Sequence, residues 1–211
     1  MTLILGVITF TDTLSQGKVS KNKKAIINSL EAHKDRLIEI SDNIWEAAEP
    51  ALLEFKSSKY LSDYAEENGF RVTRSVAEIP TAFVAEFGSG KPVIGILGEF
   101  DANPGISQKK QPTKDPLVKG AAGHGCGHNL YGTGSLGAAI AIKEMIESGE
   151  ISGTVRFYGT PAEETIFAKV WMVRAGLFDD VDVCMDWHPS DEVEAATQSS
   201  KALVDFRLRF Y

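Results

Sequence analysis

Apolar residues recur every three or four positions in the first part of the sequence and later give way to short continuous runs. Residues 25–48 carry Ile, Leu and Trp at this spacing with Lys, Glu and Asp between them, which predicts an amphipathic helix. Residues 52–65 repeat the pattern, and Asn68-Gly69 follows as a helix-ending pair. We therefore predict two helices at the start of the domain, preceded by an irregular leader over residues 1–24.

Short runs rich in Val, Ile and Phe come next, separated by Pro and Gly, and they predict β-strands. Residues 93–98 are apolar without alternation, as expected of a strand buried on both faces. Helical spacing then returns between the later runs, so strands and helices alternate and the predicted fold class is α/β. The predicted strands span residues 70–76, 82–87, 93–100, 154–158 and 181–187, and the predicted later helices span residues 133–148 and 168–175.

The segment at residues 123–129 reads Gly-His-Gly-Cys-Gly-His-Asn and contains three candidate metal ligands. Cys126 and His128 stand two positions apart and so cannot share a helix face. The glycines between them allow tight bends, so both side chains can point to one place from a loop. The other cysteine, Cys184, lies in an apolar strand and is expected in the core.

Ligand-type residues also follow three of the predicted strands. Glu99 and Asp101 follow one, Glu163-Glu164 the next and His188 the last, as in α/β proteins whose sites form at strand ends. Zinc accepts thiolate, imidazole and carboxylate ligands together. The negative charge of the set suits two divalent ions that share one site.

The paired glutamates predict a division of roles. One carboxylate can bind metal, while its neighbour acts as general base and then delivers the proton to the leaving nitrogen. We assign Glu163 to the base and Glu164 to the metal. Taken singly, His188 could be an ordinary histidine, Asp101 a cap and the glutamates a helix N-terminal pair. Their joint occurrence at strand ends favours a metal site.

Composition narrows the possible partners. The net charge of −7 argues against nucleic acid. The apolar residues 2–10 are too short to span a membrane and lack the basic start and cleavage site of a signal peptide. Two cysteines are too few for a disulfide scaffold, so we expect a cytoplasmic protein.

Four segments stand out as a set: residues 98–105 (GEFDANPG), 123–129 (GHGCGHN), 162–164 (AEE) and 187–189 (WHP). In order and spacing they resemble the motifs of the metal-dependent amidohydrolases and peptidases of the aminoacylase/carboxypeptidase type, most closely the branch of aminobenzoyl-glutamate hydrolase B subunits and related dipeptidases. The resemblance implies a zinc-exopeptidase-like catalytic domain with a central mixed sheet flanked by helices, and a smaller lid domain that forms a homodimer in the full-length form.

The same resemblance implies two zinc or manganese ions. Glu163 matches the general base of the family and Asp101 the aspartate that orients the metal site, while the roles of Glu99 and His124 stay open. The positions that match metal ligands are Cys126, His128, Glu164 and His188.

These expectations give a division of the chain and a function. Residues 25–199 are expected to form the N-terminal part of the catalytic domain, and residues 200–211 the first strand of a truncated lid. The expected reaction is hydrolysis of an amide bond in a small N-acyl amino acid, an aminobenzoyl-glutamate-like conjugate or a dipeptide. The alternatives are a non-catalytic metal-binding fragment, one half of a split enzyme that needs another chain, and a structural zinc site. The spare carboxylates Glu163 and Asp101 count against the last.

Overall fold

The computed structural model of the chain describes residues 19–191 and 208–209. The predicted leader before residue 19 and, apart from residues 208–209, the predicted last strand lie outside the described residues. Within the described part, every helix is too short or too polar to cross a membrane.

Five α-helices lie in the described part of the chain. The first begins four residues earlier than the sequence predicted, because the side chain of Ser20 accepts a hydrogen bond from the backbone N–H of Lys23 at 3.3 Å and caps the helix there. The predicted leader therefore ends before residue 24. The helices are α1 (Lys21–Ala47), α2 (Phe55–Glu67), α3 (His128–Glu147), α4 (Glu163–Ile166) and α5 (Lys169–Arg174).

The strands form one mixed sheet, which confirms the predicted fold class. Strands β3, β4 and β5 are parallel to one another, whereas β1 and β2 run antiparallel to their neighbours. The order across the sheet is β1-β2-β4-β3-β5. The strands are β1 (Arg71–Arg74), β2 (Phe83–Ser89), β3 (Val93–Gly98), β4 (Gly153–Gly159) and β5 (Val183–Met185).

Apolar side chains cover both faces of this sheet. Phe157 joins the core formed with α1, α2 and α3, while its neighbour Tyr158 joins a second core that includes Met172 of α5. Successive residues of a strand point to opposite faces, so helices flank the sheet on both sides. The parallel arrangement places the carboxyl ends of β3, β4 and β5 at one edge, where the predicted site residues follow each strand.

Two local predictions were wrong. Helix α3 begins at His128 rather than at residue 133, because Gly127 adopts the left-handed conformation, with φ of 80°, and turns the chain directly into the helix. Cys184 is exposed rather than part of the core, because β5 is an edge strand within the described residues and pairs only with β3 in the sheet.

Candidate metal centre

His128 opens α3 against the loop that follows β3, and Asp101 from that loop fixes its ring. The Nδ1 atom of His128 lies 3.1 Å from both the carbonyl oxygen and Oδ1 of Asp101. Because both partners are acceptors, Nδ1 carries a hydrogen, which leaves Nε2 as the ring nitrogen that a metal could bind. The ring is 1% exposed, so Asp101 sets the orientation of a buried, ligand-type nitrogen.

His188 reaches the same place from the end of β5. Its Nδ1 lies 2.9 Å from the carbonyl oxygen of Pro189, so this histidine also presents Nε2. That Nε2 lies 3.3 Å from the Sγ atom of Cys126. One ligand atom each from Cys126, His128 and His188 lie within 4.8 Å of one another.

Glu163 and Glu164 start helix α4, directly after β4. The backbone N–H of Glu164 donates to Oδ2 of Asp101 at 2.9 Å, so Asp101 holds this turn as well as the His128 ring. Oε1 of Glu164 lies 3.7 Å from Nε2 of His128. Glu163 belongs to a second group, with Glu99 and His128, whose ligand atoms are also within 4.8 Å of one another.

Burial and the concentration of carboxylates set the protonation of these groups. Burial raises the pKa of Cys126 to about 11, and Glu164 adds to the shift. Burial also raises the pKa of Glu163, with a further contribution from Glu99. For His128, burial lowers the pKa, but the hydrogen bond to Asp101 and the nearby Glu99 outweigh it and raise the pKa to about 10. In all three groups nearby carboxylates contribute to the rise in pKa, and the same negative charge favours a bound cation.

The residues present fit a divalent metal. Nε2 of His128 and Oε1 of Glu164 are buried and make no hydrogen bond of good geometry among the described residues, although Oε2 of Glu99 lies 2.9 Å from that nitrogen as an ion-pair contact. Buried polar atoms normally have partners, so two such atoms pointing into one space indicate a missing ligand. Thiol, imidazole and carboxylate groups are the donors that zinc accepts, and a cation would favour the thiolate form of Cys126.

Comparison with known proteins accounts for this arrangement. Residues 95–202 match the model of peptidase family M20/M25/M40. The chain belongs to this family. It is 50% identical over 167 residues to the B subunit of the p-aminobenzoyl-glutamate hydrolase of Escherichia coli, covering 78% of this chain and 34% of that protein.

Two further comparisons extend the similarity across the M20 family. The chain is 29% identical to the Xaa-Arg dipeptidase of Mus musculus, over 94% of this chain and 45% of the dipeptidase. It also resembles the crystal structure of a dinuclear metal-binding M20 peptidase from Bacillus subtilis, with a TM-score of 0.63 and 28% identity over 73% of this chain and 42% of that one. The chain therefore spans less than half the length of these relatives.

The structure brings all six predicted site residues together at the edge of the sheet. They are Asp101, Cys126, His128, Glu163, Glu164 and His188. Their separate roles stay predictions. His124, whose role was open, belongs to neither group of ligand atoms: its Nε2 lies 3.1 Å from the carbonyl oxygen of Ile44, and burial lowers its pKa to about 4. His124 therefore ties the loop to α1.

Glu99 and Lys169 were not assigned from the sequence. Oε2 of Glu99 lies 2.9 Å from Nε2 of His128, and its other carboxylate oxygen pairs with Nζ of Lys169. Burial raises the pKa of Glu99, but His128 and Lys169 outweigh it and lower the pKa overall. The position of Glu99 two residues before Asp101 was a usable signal, whereas nothing in the sequence near Lys169 linked it to the site.

Proposed function

We propose that this chain carries the metal centre of a hydrolase that cleaves an amide bond in a small N-acyl amino acid, an aminobenzoyl-glutamate-like conjugate or a dipeptide. One observation carries the proposal: ligand atoms of Cys126, His128 and His188 lie within 4.8 Å of one another, and the carboxylates of Glu163 and Glu164 lie beside His128. A structural zinc site needs four ligands and no spare acid or base. Here carboxylates are in excess.

Cys126, His128, Glu164 and His188 would hold two divalent ions, zinc or manganese. Bound ions of this kind polarise the scissile carbonyl and increase the acidity of water. Asp101 contributes by orientation, since it fixes the His128 ring through Oδ1 and the Glu164 backbone through Oδ2. The dinuclear relative from Bacillus subtilis supports two ions rather than one.

Glu163 is the proposed general base. Its carboxylate lies within 4.8 Å of ligand atoms of Glu99 and His128, and burial raises its pKa toward the range in which a carboxylate can both accept and return a proton. In the proposed reaction Glu163 takes a proton from the attacking water and delivers it to the leaving nitrogen. The amide bond breaks as the carboxylate product and the free amine form.

Aminobenzoyl-glutamate is the first substrate to try, because the relative from Escherichia coli is named for its hydrolysis and is 50% identical over 167 residues. A dipeptide ending in arginine is the second, after the name of the mouse relative.

We propose a homodimer for the full-length form. We also propose a cytoplasmic location, which the two free cysteines support.

A second candidate function is metal binding without turnover unless another polypeptide segment completes the site. The exposure of His188, which lies on the open side of the centre, favours it. In that case the chain would supply one wall of an active site, and the other wall would come from elsewhere in the assembled enzyme.

Metal analysis and an activity assay distinguish the two. The purified chain is loaded with zinc or manganese, dialysed, and analysed for bound metal, then assayed on aminobenzoyl-glutamate, other acyl-glutamates and dipeptides. Retained metal with hydrolysis supports the proposed enzyme. Retained metal without hydrolysis supports the second candidate. A chain that retains no metal contradicts both.

A further inference from the structure

Glu54 is a fully buried carboxylic acid that neither the sequence motifs nor the family resemblance identified. It lies just before α2 and is 0% exposed. Its Oε1 atom accepts the backbone N–H of Ala162 at 2.8 Å, and its Oε2 atom accepts the hydroxyl of Thr81 at 3.1 Å. Among the described residues, the groups that act on its charge include no Lys, Arg or His side chain.

The residue that Glu54 holds is the one immediately before the proposed general base. Ala162 adopts φ of 57° and ψ of 36°, a left-handed conformation that costs a non-glycine residue on the order of 1 kcal/mol. It is 0% exposed, so water cannot replace a lost partner for its N–H. This turn brings the chain out of β4 and into Glu163.

Two buried carboxyl groups therefore hold the turn on either side of Glu163. Glu54 accepts the N–H of residue 162, and Asp101 accepts the N–H of residue 164. Asp101 lies next to Glu164 and His128, whereas Glu54 contacts no proposed metal ligand. The two supports can thus be separated, since the loss of Glu54 leaves the anchor of Glu164 in place.

The position of Thr81 explains how Glu54 reaches the turn. Thr81 lies two residues before β2, and Phe83 of β2 pairs with Gly159 at the end of β4. The beginning of β2 and the end of β4 are therefore at the same edge of the sheet. Glu54 reaches that edge from the start of α2 and joins both segments through its two oxygens.

We propose that Glu54 is a positioning residue for Glu163: its carboxyl group holds the Ala162 N–H and so fixes the turn from which the proposed base projects. Burial of a carboxyl group without a cation is costly, and an apolar side chain would fill the same space at less cost. The two hydrogen bonds to the turn and to β2 give it a task that an apolar side chain could not perform. The proposal rests on the function proposed above for Glu163.

The test compares three substitutions at Glu54. Glu54→Ala removes the acceptor, and Glu54→Asp keeps the carboxyl group but shortens the side chain by one methylene. Glu54→Gln keeps an oxygen for Ala162 and an amide that can donate to Thr81. Glu49→Ala is the matched control, because Glu49 also accepts backbone N–H groups, those of Lys56 and Ser57, at the start of α2 but does not contact the turn.

We expect Glu54→Ala and Glu54→Asp to lower kcat on aminobenzoyl-glutamate by about 100-fold, the order expected for a catalytic group displaced by about 1 Å. KM and the bound zinc stay near the wild-type values, because Asp101 still anchors Glu164. Glu54→Gln restores most of kcat. In the metal-free protein, the Ala162 amide exchanges its hydrogen faster in Glu54→Ala and Glu54→Asp than in the wild type and in Glu54→Gln.

Equal exchange of the Ala162 amide in the wild type and Glu54→Asp would overturn the positioning role. An equal loss of kcat in Glu49→Ala would also overturn it, since it would show a general effect of stability. If Glu54→Ala does not fold, Glu54→Asp and Glu54→Gln give the same comparison. An inactive wild-type protein would instead count against the proposed function, and the exchange measurement would still decide whether Glu54 holds the turn.

Discussion

Asp101 shows how one buried residue can organise several others. It orients His128 through Nδ1 and also holds the backbone of Glu164, although these two residues lie on different elements. The orienting role of Asp101 was expected from the resemblance to the amidohydrolase family, whereas its position after a buried strand alone left a cap as an alternative. It could not predict Glu54, whose link to the turn at Ala162 spans more than a hundred residues and needs three-dimensional folding to form.

The raised pKa of the buried Glu54 carboxyl group should make the stability of the protein depend on pH. Burial raises its pKa from 4.5 to about 7, and the nearby negative charge of Asp101 adds to the shift, while the hydrogen bonds from Thr81 and Ala162 oppose it. The folded protein therefore binds the proton more tightly than the unfolded chain does. The stabilisation is fully present below pH 4.5 and is lost as the pH rises through about 7.

Glu54→Gln cannot titrate, so its free energy of unfolding relative to the wild type should increase between pH 5 and pH 8. The shift from 4.5 to about 7 corresponds to a change on the order of 3 kcal/mol. Urea unfolding of both proteins at several pH values, with a chelator present so that metal binding does not contribute, measures this difference. A difference that stays constant with pH would show that Glu54 does not take up a proton in this range.

At the level of helices and strands, the close approach of α3 to the end of β3 holds His128 against the residues that follow the strand. A Cβ atom at Gly132 would lie 2.5 Å from the backbone oxygen of Glu99, so the helix and the end of the strand touch through their backbones. The glycine-rich start of this helix indicated close packing from the sequence. The start at His128 was missed, because the left-handed turn at Gly127 leaves little trace in the pattern of apolar residues.

Gly132→Ala should therefore push α3 away from Glu99 and separate His128 from Asp101. We expect a loss of about 1–3 kcal/mol in the free energy of unfolding and weaker zinc binding. Gly137→Ala is the matched control on the same helix: the atoms nearest to its Cβ would be the ends of flexible leucine side chains from α1, and it gains the same helix propensity of about 1 kcal/mol. Equal stability and equal zinc affinity of the two variants would contradict the role of this backbone contact.

At the level of the whole molecule, the parallel strands β3, β4 and β5 bring three distant segments to one edge of the sheet. This part of the fold followed from the sequence, because ligand-type residues after successive buried runs are expected to meet there. The sequence did not predict the edge position of β5 or the exposure of Cys184, because an apolar run alone does not show whether a strand has a neighbour on both sides. The chain covers 34% of the relative from Escherichia coli. The fold therefore supports the position of the site, whereas the complete reaction is a proposal.

The most direct measurement compares Glu163→Gln with Glu164→Gln for bound metal and for hydrolysis of aminobenzoyl-glutamate. The two side chains are adjacent and equal in size, and each substitution removes one negative charge, so a difference between the variants reports their separate roles. We expect Glu163→Gln to keep the metal content of the wild type and lose roughly 100- to 10,000-fold in kcat, as for removal of a general base. Glu164→Gln should lose metal as well as activity. Wild-type turnover in Glu163→Gln, or full metal content in Glu164→Gln, would contradict the account.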